Sequence, residues 1–322
     1  MNTEEKEIIH WGCQTLLSLG YTLKNDLPEI VQSTPWSFVV RFETSDGVVY
    51  MKHTPELLAL EPVITQMLRD QFHAAVPIII ASNSELYCFL MKDAGRPLRE
   101  ILKQKFEPSL LSHAIDQFTS LQLAVADHVK LFLDIGVPDW RLDILPDLYR
   151  DLLRQKDILI ADGLSENDIH ELEKQLPAVS NLCKKLSEYA IKPSLVQCDF
   201  HDNNILIAES SQAITFIDLG EIVMTHPFFS LVGCLRQMKK HHGLKEEDSA
   251  YALLLDVSLK NFMIHESKKR LLDAFMIAQR LWIIYEALAQ YRLMLACDKA
   301  KFLAFQRHGK LRDALKEFLT AD

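Results

Sequence analysis

SLVQCDFHDNNILIAESSQAITFIDLGE, residues 194–221, decides how the chain is read. Three short apolar runs, 194–197, 205–207 and 214–217, alternate with polar, turn-forming residues, the pattern of short buried strands. Asp199, His201, Asp202, Asn203 and Asn204 fall between the first two runs, and Asp218 ends the third. A carboxylate closing a buried strand is costly unless something compensates it, and a metal ion is one means. Phosphoryl transfer from a nucleotide needs a carboxylate to accept the hydroxyl proton and oxygen ligands for the ion bridging the phosphates. It also needs a lysine to hold nucleotide oxygens. Asp199 with Asn204 five residues later fits a base and a first metal ligand, and Asp218 fits a second. The bland alternative is a polar turn between strands. Asp218 and the flanking apolar runs weigh against it.

Upstream of this island the chain opens with helical spacing over residues 4–19, then turns strand-like. PEIVQS (28–33), SFVVRFET (37–44) and GVVYMKHT (47–54) are rich in Val, Ile, Phe, Tyr and Thr. Ser45-Asp46-Gly47 marks a hairpin between the last two. A helix is expected over 57–69, then a second hairpin from VPIIIAS (76–82) and ELYCFLM (85–91) about Asn83-Ser84. Beyond residue 96 the texture is mostly helical, with helices expected over 107–129, 166–188, 245–262 and 266–295. The expected class is α+β: a small antiparallel-sheet lobe (1–91), a hinge (92–96), and a large helical lobe (97–322) carrying the catalytic loop, metal site and acceptor pocket. The nucleotide is expected in the cleft between the lobes.

Composition narrows the classes. The 322 residues are 48% hydrophobic and 25% charged, ordinary for a globular protein with a sizeable core. Lys plus Arg number 35 against 44 Asp plus Glu, a net charge of −9 that disfavours nucleic acid as a partner. The same acidity suits a cationic ligand, and also suits mere solubility. No run approaches about 18 apolar residues, so no membrane partner is expected. The opening MNTEEKEIIHWG has no basic, apolar leader pattern. Six dispersed cysteines without a CxxC pair read as reduced thiols, each buried by itself, in a cytoplasmic protein.

LVQCDFHDNNILIA (195–208) followed by FIDLGE (216–221) resembles the HxDxxxxN loop and following metal-binding segment of the aminoglycoside phosphotransferase and choline kinase family, which has a protein-kinase-like fold. The resemblance extends over roughly residues 30–240. MKHT places Lys52 where the family has its nucleotide lysine, and LEPVITQMLRDQFHAAVPIII (60–80) resembles the acidic helix, with Glu61 as the partner of Lys52 and Glu56 as the alternative. YCFLMKDAGRPLREIL (87–102) resembles the hinge, and VPDWRLDILPDL (137–148) a segment of several bacterial members.

The resemblance implies a small-molecule kinase that uses ATP (or GTP) and Mg²⁺. Asp199 would be the catalytic base. Asn204 and Asp218 would hold the metal, and Lys52, Glu61, Ser33, Ser37, Met91, Asp93 and His201 would serve the nucleotide. Three positions depart from the pattern. Gln197 stands in place of the loop histidine, the turn 33–37 contains no glycine, and Ser230 stands where the family often has Asp. A protein kinase and a nucleotide-binding pseudokinase are the rival readings. The acceptor is expected to be a small hydroxyl compound, with Asp139, Asp143 and Glu286 favouring an amine-bearing alcohol or aminoglycoside. The sequence leaves the oligomeric state open.

Overall fold

The structure is a computed structural model that describes residues 3–25, 27–298, 302 and 308–320. It divides into two compact units. The first comprises Met1–Arg96, Leu206–Gly220 and Leu293–Gln306; the second comprises Pro97–Ile205, Glu221–Arg292 and Arg307–Asp322.

The first unit is built on a five-stranded antiparallel sheet in the order β1-β2-β3-β5-β4. Its strands are β1 (Glu29–Thr34), β2 (Ser37–Thr44), β3 (Gly47–His53), β4 (Ile79–Asn83) and β5 (Cys88–Lys92). Alternation along β2 and β3 sends Phe38, Val40, Phe42, Val49 and Met51 to one face. There they bury Ile8, Ile9 and Leu16 of helix α1 (Thr3–Ser18), each such side chain contributing about 2 kcal/mol of burial. The expected helix over 57–69 is divided. A 3₁₀ turn, Glu56–Leu58, precedes α2 (Glu61–Phe72), because Pro62 cannot donate within a helix but fits its first turn.

Strand β6 (Arg96–Pro97) leads into the second unit and belongs to a short sheet in the order β6-β8-β9, with β8 (Ile205–Ile207) and β9 (Ile214–Phe216). Gly95, just before β6, has φ +112°, and a Cβ there would lie 2.2 Å from the Ile207 carbonyl oxygen. Only glycine meets both demands.

The second unit is mainly helical. Its helices are α3 (Leu98–Gln104), α4 (Pro108–Ala126), α5 (Val129–Asp134), α6 (Leu145–Leu153), α7 (Lys156–Ala161), α8 (Glu166–Lys174), α9 (Leu176–Ser187), α10 (Phe228–His242), α11 (Ser249–Lys260) and α12 (Lys268–Ala296), with a last helix at Lys310–Thr320. The single helix expected over 166–188 is two, since Pro177 opens α9. Strand β7 (Ser194–Val196) pairs antiparallel with β10 (Val223–Thr225), setting Leu195 opposite Met224. Met224 also exchanges backbone hydrogen bonds with Pro138 and Trp140, so the 138–140 segment lies along the free edge of β10. Among the described residues no helix is long and apolar enough to cross a membrane. Of the six cysteines, Cys88, Cys183 and Cys234 are buried; Cys13, Cys198 and Cys297 are partly exposed, which corrects the expectation for those three.

Candidate active site

In the first unit the charged side chains of Lys52 and Glu61 meet that of Asp218, which lies far along the sequence. Lys52 lies in β3 between Val39 and Phe89, and its Nζ stands 2.7 Å from Glu61 Oε2 and 2.5 Å from Asp218 Oδ1. Glu61 occupies the first turn of α2, where the helix dipole favours a carboxylate, and its Oε1 accepts the Leu219 amide at 3.2 Å. Gly220 leaves room beside it, since a Cβ there would come 3.2 Å from Glu61 Oε2. Asp218 follows β9 with φ +64°, a left-handed conformation that Asp tolerates better than most residues.

Lys52 and Glu61 are buried, whereas the Asp218 side chain is 39% exposed. Burial alone would lower the Lys52 pKa, but the Asp218 and Glu61 carboxylates outweigh it and hold the ammonium above its usual value. Glu61 is raised as well: burial raises it most, Lys52 opposes that, and the Asp218 charge adds to it. The two directions agree once the charges are counted. One ammonium cannot balance two carboxylates, so the cluster carries an excess negative charge on its exposed side.

That donor set fits a hard divalent cation at Asp218. Among the described residues no three His, Cys, Asp or Glu side chains gather as a protein-only metal cage. Magnesium does not need one, because it characteristically takes one or two protein oxygens and completes its shell with phosphates and water.

In the second unit, Asp199, His201, Asp202 and Asn204 form one turn after β7. Asp199 is half exposed; His201, Asp202 and Asn204 are buried. Asn204 Nδ2 donates to the Asp199 carbonyl at 2.9 Å and faces Asp199 Oδ2 at 3.4 Å. Its amide oxygen is therefore the atom left to coordinate a metal. His201 Nε2 lies 2.9 Å from Asp199 Oδ1. Behind them Asp202 is fully buried and bonded by Arg99 Nε (2.9 Å), Arg99 Nη2 (2.8 Å) and His242 Nε2 (2.7 Å). Burial would raise the Asp202 pKa, but bonds and charges from Arg99 and His242 reverse that and hold it below the usual carboxylate range.

The turn is fastened at its root. The Ser230 hydroxyl, on α10, accepts the Gln197 amide at 2.9 Å and donates to the Gln197 carbonyl at 3.0 Å. The missing acidic residue at position 230 thus leaves the brace in place, carried by a neutral group. Gln122 of α4 adds a second fastening: its side-chain Nε2 donates to the carbonyls of Leu195 and Pro227, and its backbone carbonyl accepts from Ser194 Oγ. Phe200 stacks on Phe118 with centroids 3.9 Å apart.

The other expected residues lie in the first unit. Ser33 is the penultimate residue of β1, in an exposed position. Ser37 opens β2, its amide bonded to Thr34 Oγ1, while its own hydroxyl is buried and has no partner among the described residues. Met91 pairs with Tyr50 in the sheet. Asp93 donates its amide to Val48 and accepts the Gly95 amide on Oδ1. Of the three carboxylates expected to attract a cationic acceptor, Asp139 is already held by Arg141, its pKa lowered chiefly by that hydrogen bond. Glu286 accepts from Gln290, and Asp143 lines a cavity of about 540 Å³ with Arg141, Lys184 and His226. Sequence reasoning missed Arg99, Gln122 and His242. Arg99 left a trace as a charge in GRPLREIL; a lone Gln or His on an apolar helix gives no signal by itself.

With this geometry in view, comparison with known proteins is informative. No curated protein matches the sequence. Among solved structures the chain is similar to an ethanolamine kinase from Plasmodium vivax (12% identity, TM-score 0.61, covering 90% of this chain and 82% of that one). It is also similar to a macrolide 2'-phosphotransferase type I (11%, 0.61, 97% and 98%) and to the amicoumacin kinase hAmiN in complex with AMP-PNP, Ca²⁺ and Ami (14%, 0.59, 99% and 96%). At these identities the likeness speaks for the fold. The family of phosphotransferase enzymes that includes the aminoglycoside phosphotransferases matches residues 30–254, well over half of the sequence, and the chain belongs to it.

Proposed function

We propose that the protein transfers the γ-phosphate of ATP (or GTP) to a hydroxyl group of a small molecule. The observation that carries this is the Lys52–Glu61–Asp218 cluster. Buried Lys52 and Glu61 meet the partly exposed Asp218, which lies far along the sequence, so that one ammonium sits between two carboxylates, the arrangement that kinase chemistry requires for phosphate and metal. In this reading Lys52, oriented by Glu61, holds the α- and β-phosphates. The unpartnered Ser37 hydroxyl, with Ser33, donates to phosphate oxygens, and Met91 and Asp93 flank the base. Asp218 Oδ and Asn204 Oδ1 would hold Mg²⁺, which supplies charge neutralisation at the phosphates. Asp199 orients the acceptor hydroxyl and takes its proton. Rate comes mainly from positioning and charge stabilisation.

The acceptor we infer is an amine-bearing alcohol, an amino alcohol or aminoglycoside, supported by the net charge of −9 and by Asp143 and Glu286. The reading places the protein in the cytoplasm with its thiols reduced.

The test is Asp199→Asn, assayed for ADP release over a panel of hydroxyl compounds with Mg·ATP. Turnover is expected to fall by at least about 10²-fold while ATP affinity stays within twofold. Near-normal turnover would remove Asp199 as the base, and ATP binding without turnover in the wild type would make the protein a pseudokinase.

A further inference from the structure

His201 has a geometry that does more than complete a loop. Its Nδ1 faces two groups that can only donate: the Asn203 backbone amide at 3.1 Å and Arg99 Nη2 at 3.3 Å. A proton on Nδ1 would meet both donors head-on, so Nδ1 is the acceptor and the ring proton sits on Nε2. Nε2 in turn lies 2.9 Å from Asp199 Oδ1. Asn204 holds the other carboxylate oxygen, Oδ2, at 3.4 Å. The Asp199 carboxylate is thus gripped on both oxygens while its side chain stays half exposed.

Arg99 does not float. Its Nε and Nη2 are fixed on Asp202 Oδ1, and Asp202 Oδ2 is held by His242 from the end of α10. These side chains come from α3, the turn itself and α10, all within the second unit. The His201 side chain is only 8% exposed, so its ring hydrogen bonds lie in a largely dry setting that strengthens them.

We propose that His201 is a positioning residue, locked as the Nε2–H tautomer by Asn203 and Arg99, that donates to Asp199 and sets the direction of the carboxylate from a buried Arg99–Asp202–His242 anchor. This rests on the reading of Asp199 as the base. It gives His201 a different job from the phosphate contact that family resemblance implies. No atom is transferred through His201; its proton stays on Nε2 while Asp199 takes the proton of the acceptor hydroxyl. With the carboxylate misdirected, metal-nucleotide binding by the other residues is kept but Asp199 meets the hydroxyl at the wrong angle, so the cost falls on turnover.

Two readouts test it on the full-length chain. The first is the histidine ring ¹⁵N spectrum of the uniformly folded wild type near pH 7, with His201 assigned by its absence in His201→Gln. The expected result is a neutral Nε2–H ring whose Nε2 resonance moves in Asp199→Ala; an Nδ1–H ring, or no response to Asp199→Ala, overturns the proposal. The second is Mg·ATP hydrolysis with water as the acceptor. His201→Ala is expected to lower kcat on the order of 10- to 100-fold with the KM for ATP within twofold. His201→Gln, whose amide nitrogen can reach the place of Nε2, should recover most of the loss. A raised KM at unchanged kcat, or a Gln variant no better than Ala, overturns it in favour of a phosphate contact or simple packing. If the wild type hydrolyses no ATP with water, the same kcat and KM comparison is made with whichever hydroxyl acceptor supports ADP release; if none does, the kinase reading fails by itself, and the ring spectrum still decides the hydrogen bond.

Discussion

Asp218 carries its carboxylate on a backbone of φ +64°, which most side chains avoid at a cost of about 1–2 kcal/mol. The conformation aims the carboxylate at Lys52 while leaving it 39% exposed, where a cation can reach it. Removing it with Asp218→Ala leaves Lys52 paired with Glu61 alone, an even balance of charge. The variant is therefore expected to stay folded, yet to lose the magnesium dependence of ATP binding, with affinity in Mg²⁺ falling tenfold or more, about 1.4 kcal/mol. Calorimetry with and without Mg²⁺ measures this. An unchanged magnesium effect would put the metal elsewhere. Asp218→Asn, which tolerates the same backbone, separates the charge from the conformation.

At the scale of elements, Gly95 sits where β5 gives way to β6. Gly95→Ala meets both a positive φ and the Ile207 carbonyl at 2.2 Å, whereas Gly47→Ala in the β2–β3 turn meets only the positive φ, with open space around it. Urea unfolding should show the Gly95 variant less stable than the Gly47 variant by about 1 kcal/mol or more, and less stable than wild type by at least about 2 kcal/mol. Equal losses would mean that the β5–β6 connection shifts freely. Strands β2 and β3 were legible because alternation and Val-rich stretches repeat along them, and β5 because its short apolar run follows the turn at Asn83-Ser84. The helix divisions at Pro62 and Pro177 had a local signal, the prolines themselves, which the apolar periodicity masked. Strand β10 had none: VMT is three residues long and gains its identity only by pairing with β7. The charged residues Lys52, Glu61 and Asp218 could be named from sequence order. The anchor of Arg99, Asp202 and His242 could not, since their pairing depends on how α3 and α10 pack.

For the whole molecule, buried titratable groups set the response to acid. His226 is enclosed beside Phe228 and Phe229, and burial pushes its pKa down to about 3. Its unfolded counterpart binds a proton near pH 6.5, so the neutral ring contributes full stability above pH 6.5. That contribution is lost by about 1.4 kcal/mol per pH unit as pH falls toward 3. Asp202 is depressed too, so its contribution is present above the unfolded carboxylate pKa near 3.9 and is lost as pH falls below it. Thermal melts should decline gently from pH 6.5 and more steeply below about pH 4. His226→Phe should flatten the first limb and leave the second, and an identical first limb in that variant would mean that other groups govern it.

Ser230 grips both the amide and the carbonyl of Gln197 with one hydroxyl that carries no charge. Dissolved ions have nothing to screen there, and no proton equilibrium loosens it. The turn that bears Asp199 therefore keeps its footing across ionic strengths that would weaken an exposed ion pair. Its remaining ionic support, Asp202, is sealed from counter-ions, so salt acts on what the turn binds rather than on the turn itself.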